Sequence, residues 1–135
     1  MYYNKVEGNR FTFTKQERLV SQKLIERLFN EPTSRSLAAF PLRMVYHLRE
    51  RQDGDAPVQV LISVPKRHLR HAVDRNRVKR QVREAYRLRK QALYSRLPAD
   101  KDLLLAFLWL ADKTVPSAVV AAKIDLLMNR LAARL

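Results

Sequence analysis

The residues of this chain best suited to chemistry are the arginines and lysines between Pro65 and Lys90. This 26-residue segment contains 11 basic residues, opposed only by Asp74 and Glu84. It therefore carries a net charge of +9, out of +14 for the whole chain. Because like charges at this density repel one another, the segment favours a polyanionic partner. We predict that the partner is a nucleic acid.

A helical wheel at ~100° per residue separates this segment into two faces. The apolar face contains Val78, Val82, Ala85, Tyr86 and Leu93, and it is expected to dock on a sheet. The basic face contains Lys79, Arg80, Arg83, Arg87 and Lys90, with Asn76 leading into it. Arginine suits phosphate because its planar fork can bind two oxygens at once. Glu84 is interpreted as a local partner of Arg80 or Arg87.

Residues that could make the chain a catalyst by itself are scattered. The candidates are His47, His68 and His71, with 13 acidic residues that form no metal-like cluster in the sequence. Asp53 and Asp55 flank Gly54 and are interpreted as turn residues. A protein nuclease needs a positioned acid–base pair or clustered carboxylates. We therefore expect no catalytic residues and no metal ligands in this chain.

Composition limits the class of protein. The chain has 135 residues, of which 47% are hydrophobic, so a single folded domain over residues 1–135 is expected. It has no cysteine, which is compatible with a cytoplasmic protein. Asn4, Lys5 and Glu7 stand where a signal peptide would be apolar. The longest apolar run, 103–111, is far shorter than the ~20 residues of a membrane span.

The pattern along the chain predicts helix, strand, strand, helix, strand, helix. A capping box at Thr14 and Glu17 begins a helix that runs to Phe29. The strands are expected at 40–48, 58–64 and 102–109, the last being buried on both faces. The basic helix spans about 74–96, and a last helix starts between Thr114 and Ser117. The expected fold is α+β, an α/β sandwich with a three- or four-stranded sheet.

Three stretches closely resemble the signature of the bacterial ribonuclease P protein. They are Ser63-Val64-Pro65-Lys66-Arg67, then Ala72-Val73-Asp74-Arg75-Asn76-Arg77-Val78-Lys79-Arg80, then Arg83-Glu84-Ala85-Tyr86-Arg87. The resemblance is specific from about 63 to 88 and weaker over most of the remaining chain. It implies a left-handed strand–helix–strand crossover, although such connections are generally right-handed.

The resemblance also implies two surfaces that bind RNA. The first would contact the catalytic RNA and nearby substrate phosphates. The second is a cleft between the first helix and the sheet, which would hold the single-stranded 5′ leader of precursor tRNA through Ile25, Phe29 and Tyr46. Phe29 either stacks on a base or belongs to the core, and both alternatives stay open. The residues of the first surface are Lys66, Arg67, Arg75, Asn76, Arg77, Lys79, Arg80, Arg83 and Arg87.

The expected function is that of a subunit of the ribonuclease P ribonucleoprotein, a tRNA-processing endonuclease. The RNA subunit and substrate would bind the catalytic Mg²⁺, and the chain would bind the RNA as a monomer in a 1:1 complex. A structural RNA-binding protein of the ribosomal type is the alternative. A basic-helix DNA-binding protein is less well supported, since no heptad zipper follows Lys90.

Overall fold

The computed structural model describes residues 13–135 and contains a four-stranded mixed sheet with helices on both faces. The strands are β1 (Arg35–Ala39), β2 (Leu42–Glu50), β3 (Val58–Ser63) and β4 (Lys101–Trp109), in the order β1-β2-β4-β3. The helices are α1 (Gln22–Asn30), α2 (Ala72–Arg96) and α3 (Ser117–Ala132). This architecture confirms the α+β prediction. None of these helices is long and apolar enough to cross a membrane.

The connection between β3 and β4 is a crossover through α2. The two strands pair in parallel, with Val58 opposite Leu103, whereas β2 pairs antiparallel with both β1 and β4. A parallel pair requires a long connection, and the 25-residue α2 supplies it. The left-handed sense of this crossover stays a prediction.

The sheet separates two apolar clusters, because successive side chains of a strand point to opposite faces. On one face, Leu104 and Ala106 of β4 pack with Leu28 of α1. On the other face, Leu105 and Phe107 pack with α2 and α3. Residues 102–107 are all buried, which confirms that this strand is covered on both faces. Helix α1 therefore lies on one side of the sheet, and α2 and α3 lie on the other.

The prediction of one helix from Thr14 to Phe29 is wrong in its first half. Lys15–Glu17 form only a short 3₁₀ helix, and α1 begins after Ser21, whose Oγ accepts a hydrogen bond from the Leu24 N–H. Between them the chain is extended, and the Leu19 N–H donates to the Val60 carbonyl at 2.9 Å. The exposed edge of β3 thus competes with the helix for this backbone, and tertiary pairing prevails.

Strand β1 was not predicted from the sequence. Its residues, Arg35–Ala39, include no β-branched or aromatic side chain, so the segment has little intrinsic preference for a strand. It forms because it pairs with β2 across a turn at Phe40 and Pro41. The predicted strand at 40–48 is accordingly shifted to Leu42–Glu50. Residues 1–10, whose role the sequence left open, lie outside the described residues.

Candidate nucleic-acid interface

Helix α2 positions the basic residues by burying its apolar face. Val78, Val82 and Tyr86 are fully buried, as the wheel predicted. Asp74 lies in the first turn, where a carboxylate is favourable to the helix dipole. The burial of this stripe fixes the rotation of the helix, so the opposite flank must face outward. Tyr86 belongs to the core, with its ring 6.1 Å from that of Phe107.

Four arginines of α2 line one open pocket of about 840 Å³. They are Arg77, Arg80, Arg83 and Arg87. The lining also includes Gln81 and Glu84 of α2, Ser117 of α3 and Phe13. Arg77, Lys79, Arg80 and Arg83 form no ion pair with another described residue. Their charges are therefore not neutralised by a described side chain, which is the condition for binding phosphates.

Arg87 pairs with Glu84, which is one of the two pairings predicted for this acid. Its Nε lies 2.8 Å from Glu84 Oε2, and its second nitrogen lies 2.6 Å from Oε1. This hydrogen-bonded pairing lowers the pKa of the exposed Glu84 carboxyl. Glu84 thereby offsets part of the positive charge at this end of the pocket, and the strongest positive potential shifts toward Arg77, Arg80 and Arg83.

Lys90 does not belong to the basic flank, and its placement there is wrong. Its side chain is fully buried, and Nζ lies 2.8 Å from Glu17 Oε2. Tyr94 donates to the same oxygen at 2.9 Å, and the Thr14 N–H donates to Oε1 at 2.9 Å. A buried charge must be paired and hydrogen-bonded to be tolerated, and Glu17 satisfies that requirement. We name Glu17, Lys90 and Tyr94 the buried triad.

The loop between β3 and α2 presents Lys66, Arg67 and, just inside the helix, Asn76 to solvent. Arg75 is half-buried, and its Nη1 donates to the carbonyls of Leu69 and Arg70 at 2.9 and 2.8 Å. Arg75 therefore braces the loop that carries the other cations. Its direct contact with RNA stays a prediction.

Helix α1 and the sheet form a second, smaller pocket of about 220 Å³. Its lining combines apolar, basic and acidic side chains with two serines: Phe29, Val45, Leu108, Arg35, Arg43, Glu31, Ser34 and Ser36. Phe29 is 43% exposed, so it is not a core residue, and its ring is accessible from the pocket. Ile25 is half-buried against the apolar cluster beneath α1. The structure thus brings Ile25 and Phe29 to one face, as the leader-cleft prediction requires.

Tyr46 lies on the other face of the sheet, which contradicts its assignment to the leader cleft. It is 6% exposed and packs with the cluster under α2 and α3. Its hydroxyl accepts a hydrogen bond from Arg134 at 3.0 Å. Because a strand alternates, the neighbouring Val45 faces α1 in its place. Tyr46 was predicted at the cleft because it is aromatic, although it alternates in step with the core residues Leu42 and Met44.

The three histidines do not assemble into a catalytic group. His47 is buried, lies 3.2 Å from the Thr33 hydroxyl, and has its pKa lowered by burial. His68 Nδ1 lies 2.8 Å from Asp112, which ties the basic loop to the segment after β4. Asp55 pairs with Arg49 at 2.8 Å. Among residues 13–135, no group of three or more His, Asp or Glu side chains could hold a metal ion.

Three further cations lie near these surfaces and were not predicted from the sequence. Arg35 and Arg43 line the pocket beside Phe29, and Arg18 lies next to Lys79 and Arg83. Arg43 could have been found, because it alternates with the buried Leu42 and Met44 and must therefore point to the α1 face. Arg18 and Arg35 lie in segments whose conformation was predicted incorrectly or not at all.

The chain is also similar in sequence to known proteins. A family model described as "Ribonuclease P" matches residues 13–131. The ribonuclease P protein component of Porphyromonas gingivalis (strain ATCC 33277) is 45% identical over 83 residues, which cover 62% of this chain and 58% of that protein. The corresponding protein of Chlorobium phaeobacteroides is 39% identical over 83 residues, 60% of this chain and 56% of that protein. The chain thus spans less than two thirds of the length of these relatives.

The fold is also similar to solved structures. The RNase P protein of Staphylococcus aureus gives a TM-score of 0.63 at 18% identity, covering 85% of this chain and 94% of that one. The RNase P protein of Thermotoga maritima gives a TM-score of 0.60 at 23% identity, covering 84% and 96%. At these identities the likeness concerns the fold alone.

Proposed function

This chain belongs to the ribonuclease P protein family, and we propose that it acts as the protein subunit of a ribonuclease P ribonucleoprotein. In this role it binds the catalytic RNA and assists the removal of the 5′ leader from precursor tRNA. The observation that carries the proposal is the flank of α2 on which Arg77, Arg80 and Arg83 line one pocket without an acidic partner among the described residues. Arginines that are free of carboxylates and fixed on a rigid helix suit a phosphate backbone.

The proposed division of labour assigns the two surfaces to different RNAs. The α2 surface carries Lys66, Arg67 and Asn76 beside its arginines, and it binds the catalytic RNA and the substrate phosphates near it. The α1 surface is smaller and partly aromatic, and it binds the single-stranded leader. An exposed aromatic ring with cations beside it is the combination that binds single strands, because the ring stacks on a base while the cations hold the backbone. Phe29, Arg35 and Arg43 provide that combination.

Hydrolysis itself is assigned to the RNA subunit. That subunit and the substrate would bind Mg²⁺, which supplies a metal-bound nucleophile and stabilises the leaving oxygen. The chain contributes position and charge, since cations near the substrate backbone reduce the need for Mg²⁺ as a counterion. The proposed complex contains one protein and one RNA.

The test is cleavage of precursor tRNA at its mature 5′ end. The purified protein without RNA should not cleave at any Mg²⁺ concentration. Together with a bacterial ribonuclease P RNA, it should allow cleavage at lower Mg²⁺ than the RNA alone requires. Accurate cleavage by nuclease-free protein, or a Mg²⁺ requirement that the protein does not change, would contradict the proposal. Co-purification of ribosomal RNA instead would favour the structural RNA-binding alternative.

A further inference from the structure

The two proposed surfaces lie on opposite faces of the sheet, so RNA that contacts both must pass around an edge. The α1 pocket and the α2 flank are separated by the sheet itself. The strand order places β3 at one edge, and β3 is the strand that precedes the basic loop. A strand of RNA that runs from Phe29 toward Arg83 can therefore cross at the edge of β3.

A third pocket, of about 200 Å³, lies at this edge. Its wall includes Val60, which belongs to the α2 side of the sheet, and Leu61, which belongs to the α1 side. The pocket thus opens at the boundary between the two faces. Its volume is below the ~300–1,000 Å³ typical of sites that enclose a whole small molecule. It is suited to one sugar–phosphate unit of a chain that continues on both sides.

The charge of the pocket is entirely positive. Arg18, Lys79 and Arg83 line it, together with the apolar Val20, Leu61 and Ile62. No acidic side chain contributes to its lining, and none of the three cations forms an ion pair with another described residue. The Nε of Arg83 is buried and has no hydrogen-bond partner among residues 13–135. The Arg83 side chain is therefore not held through Nε by another described residue.

The buried triad determines where Arg18 lies. Glu17, the acid next to Arg18 in sequence, is turned inward to Lys90, so its carboxylate does not neutralise the guanidinium. On the other side, the Leu19 N–H is fixed to the Val60 carbonyl. The Arg18 guanidinium lies 5.9 Å from the centre of the Phe13 ring. Phe13 in turn contacts Tyr86 edge-on, with ring centres 5.9 Å apart. Arg18 is therefore held at the rim of the pocket by neighbours on both sides.

We propose that Arg18, Lys79 and Arg83 form a binding site for a backbone phosphate of the single-stranded 5′ leader, where it passes between the two faces. This assignment rests on the proposed function and adds Arg18, which lies outside the basic helix, to the RNA-binding residues. The guanidinium donates to the phosphate oxygens, and Val20 and Ile62 contact the adjoining ribose. No base edge is read at this site, so it binds leaders of any sequence.

The experiment measures the affinity of the reconstituted holoenzyme for precursor tRNAs with leaders of increasing length and for leaderless tRNA. Arg18→Ala should weaken binding of the long-leader substrate about tenfold, the lower end for a hydrogen bond to a charged group. It should leave leaderless tRNA unaffected. Arg18→Lys should recover part of the loss, since it keeps the charge but not the planar fork. Arg130→Ala is the matched control, because it removes an exposed arginine of α3 that lines none of these pockets.

Each outcome has a separate meaning. Equal losses on leaderless and long-leader tRNA would place Arg18 on the catalytic RNA and overturn the leader assignment. Unchanged binding of both RNAs by a stably folded Arg18→Ala protein would also overturn it. If the wild-type holoenzyme itself fails to distinguish leader from leaderless tRNA, the proposed leader-binding function is refuted before Arg18 is considered.

Discussion

The first and second halves of helix α2 use the same residue types in opposite ways. In the first half, Lys79 and Arg83 line an open pocket and have no ion-pair partner among the described residues. In the second half, Lys90 is fully buried against Glu17 and Tyr94. The difference arises because Glu17 turns inward to Lys90 and Tyr94, whereas no carboxylate of the described residues pairs with Lys79 or Arg83. The charge of a helix therefore depends on what covers it, and only uncovered cations are available to RNA.

The largest effect that tests this contrast is on stability. Lys90→Ala should lower the free energy of unfolding by about 3–5 kcal/mol, because it leaves the Glu17 carboxylate buried without its cation. Lys79→Ala should change it by only about 0.5 kcal/mol, as is usual for a surface position. Urea denaturation of both variants measures the difference. Equal stabilities would show that Lys90 is not buried as described.

A second variant separates burial from pairing. Replacing Glu17 by Leu together with Lys90 by Met removes both charges while keeping apolar volume. This double replacement should cost far less than Lys90→Ala alone, because no unpaired charge is left inside. A loss as large as that of the single variant would assign the effect to packing instead.

The sequence predicted α2 well and its neighbours less well, for a physical reason. Val78, Val82 and Tyr86 follow a helical period that depends on local spacing alone, so the wheel located the buried face. The burial of Lys90 depends on Glu17, 73 residues away, and no local pattern reports a contact of that range. Tyr46 was assigned to the cleft because its side chain is aromatic, although the alternation of β2 places it on the same face as Leu42 and Met44.

The next effect is a loss of RNA affinity, which should follow from substitutions in the first half of α2. Replacing Lys79 and Arg83 by Ala should weaken RNA binding by about 3 kcal/mol, at ~1.5 kcal/mol for each hydrogen bond to a charged group. The plot of log affinity against log salt should become shallower by about 0.7–0.9 units, because both cations hold the same leader phosphate. A charge-matched double variant, Arg96→Ala with Arg130→Ala, should alter the slope much less. Identical slopes for the two double variants would mean that net charge alone governs binding.

A smaller effect is expected from Phe29, on the other face of the sheet. Phe29→Ala should weaken binding of long-leader precursor tRNA by roughly 1–3 kcal/mol, the amount that one stacked base contributes. The salt slope should remain nearly constant, because no charge is lost. Since Phe29 is 43% exposed, the melting temperature should fall less than for a buried phenylalanine. Equal losses for leaderless and long-leader tRNA would remove Phe29 from the leader site.

The smallest effect is a change in the pH dependence of stability, and it comes from His47. This buried basic group has the neutral Thr33 as its hydrogen-bond partner, whereas Lys90 is paired with a carboxylate. Burial lowers the pKa of His47, and the charges of Arg27 and Arg49 act in the same direction, while Glu31 opposes them. In the unfolded chain, His47 therefore binds a proton near pH ~6.5, the ordinary pKa of histidine. In the folded protein it binds the proton only at lower pH. The contribution of neutral His47 to the free energy of unfolding is complete above pH ~6.5. It is lost as the pH falls toward the lower pKa of the folded state.

Melting temperatures of wild-type protein and His47→Gln between pH 8 and pH 5 measure this dependence. Glutamine does not titrate and can still hydrogen-bond to the Thr33 hydroxyl, so the variant should lose less stability on acidification than the wild type does. His71→Gln removes an exposed histidine and is the control for the loss of a titrating side chain. Comparing the variants by difference cancels the contribution of the carboxylates, which titrate in all three proteins. Parallel curves for wild type and His47→Gln would mean that protonation of His47 is not opposed by folding, and that its environment is more polar than the contact with Thr33 indicates.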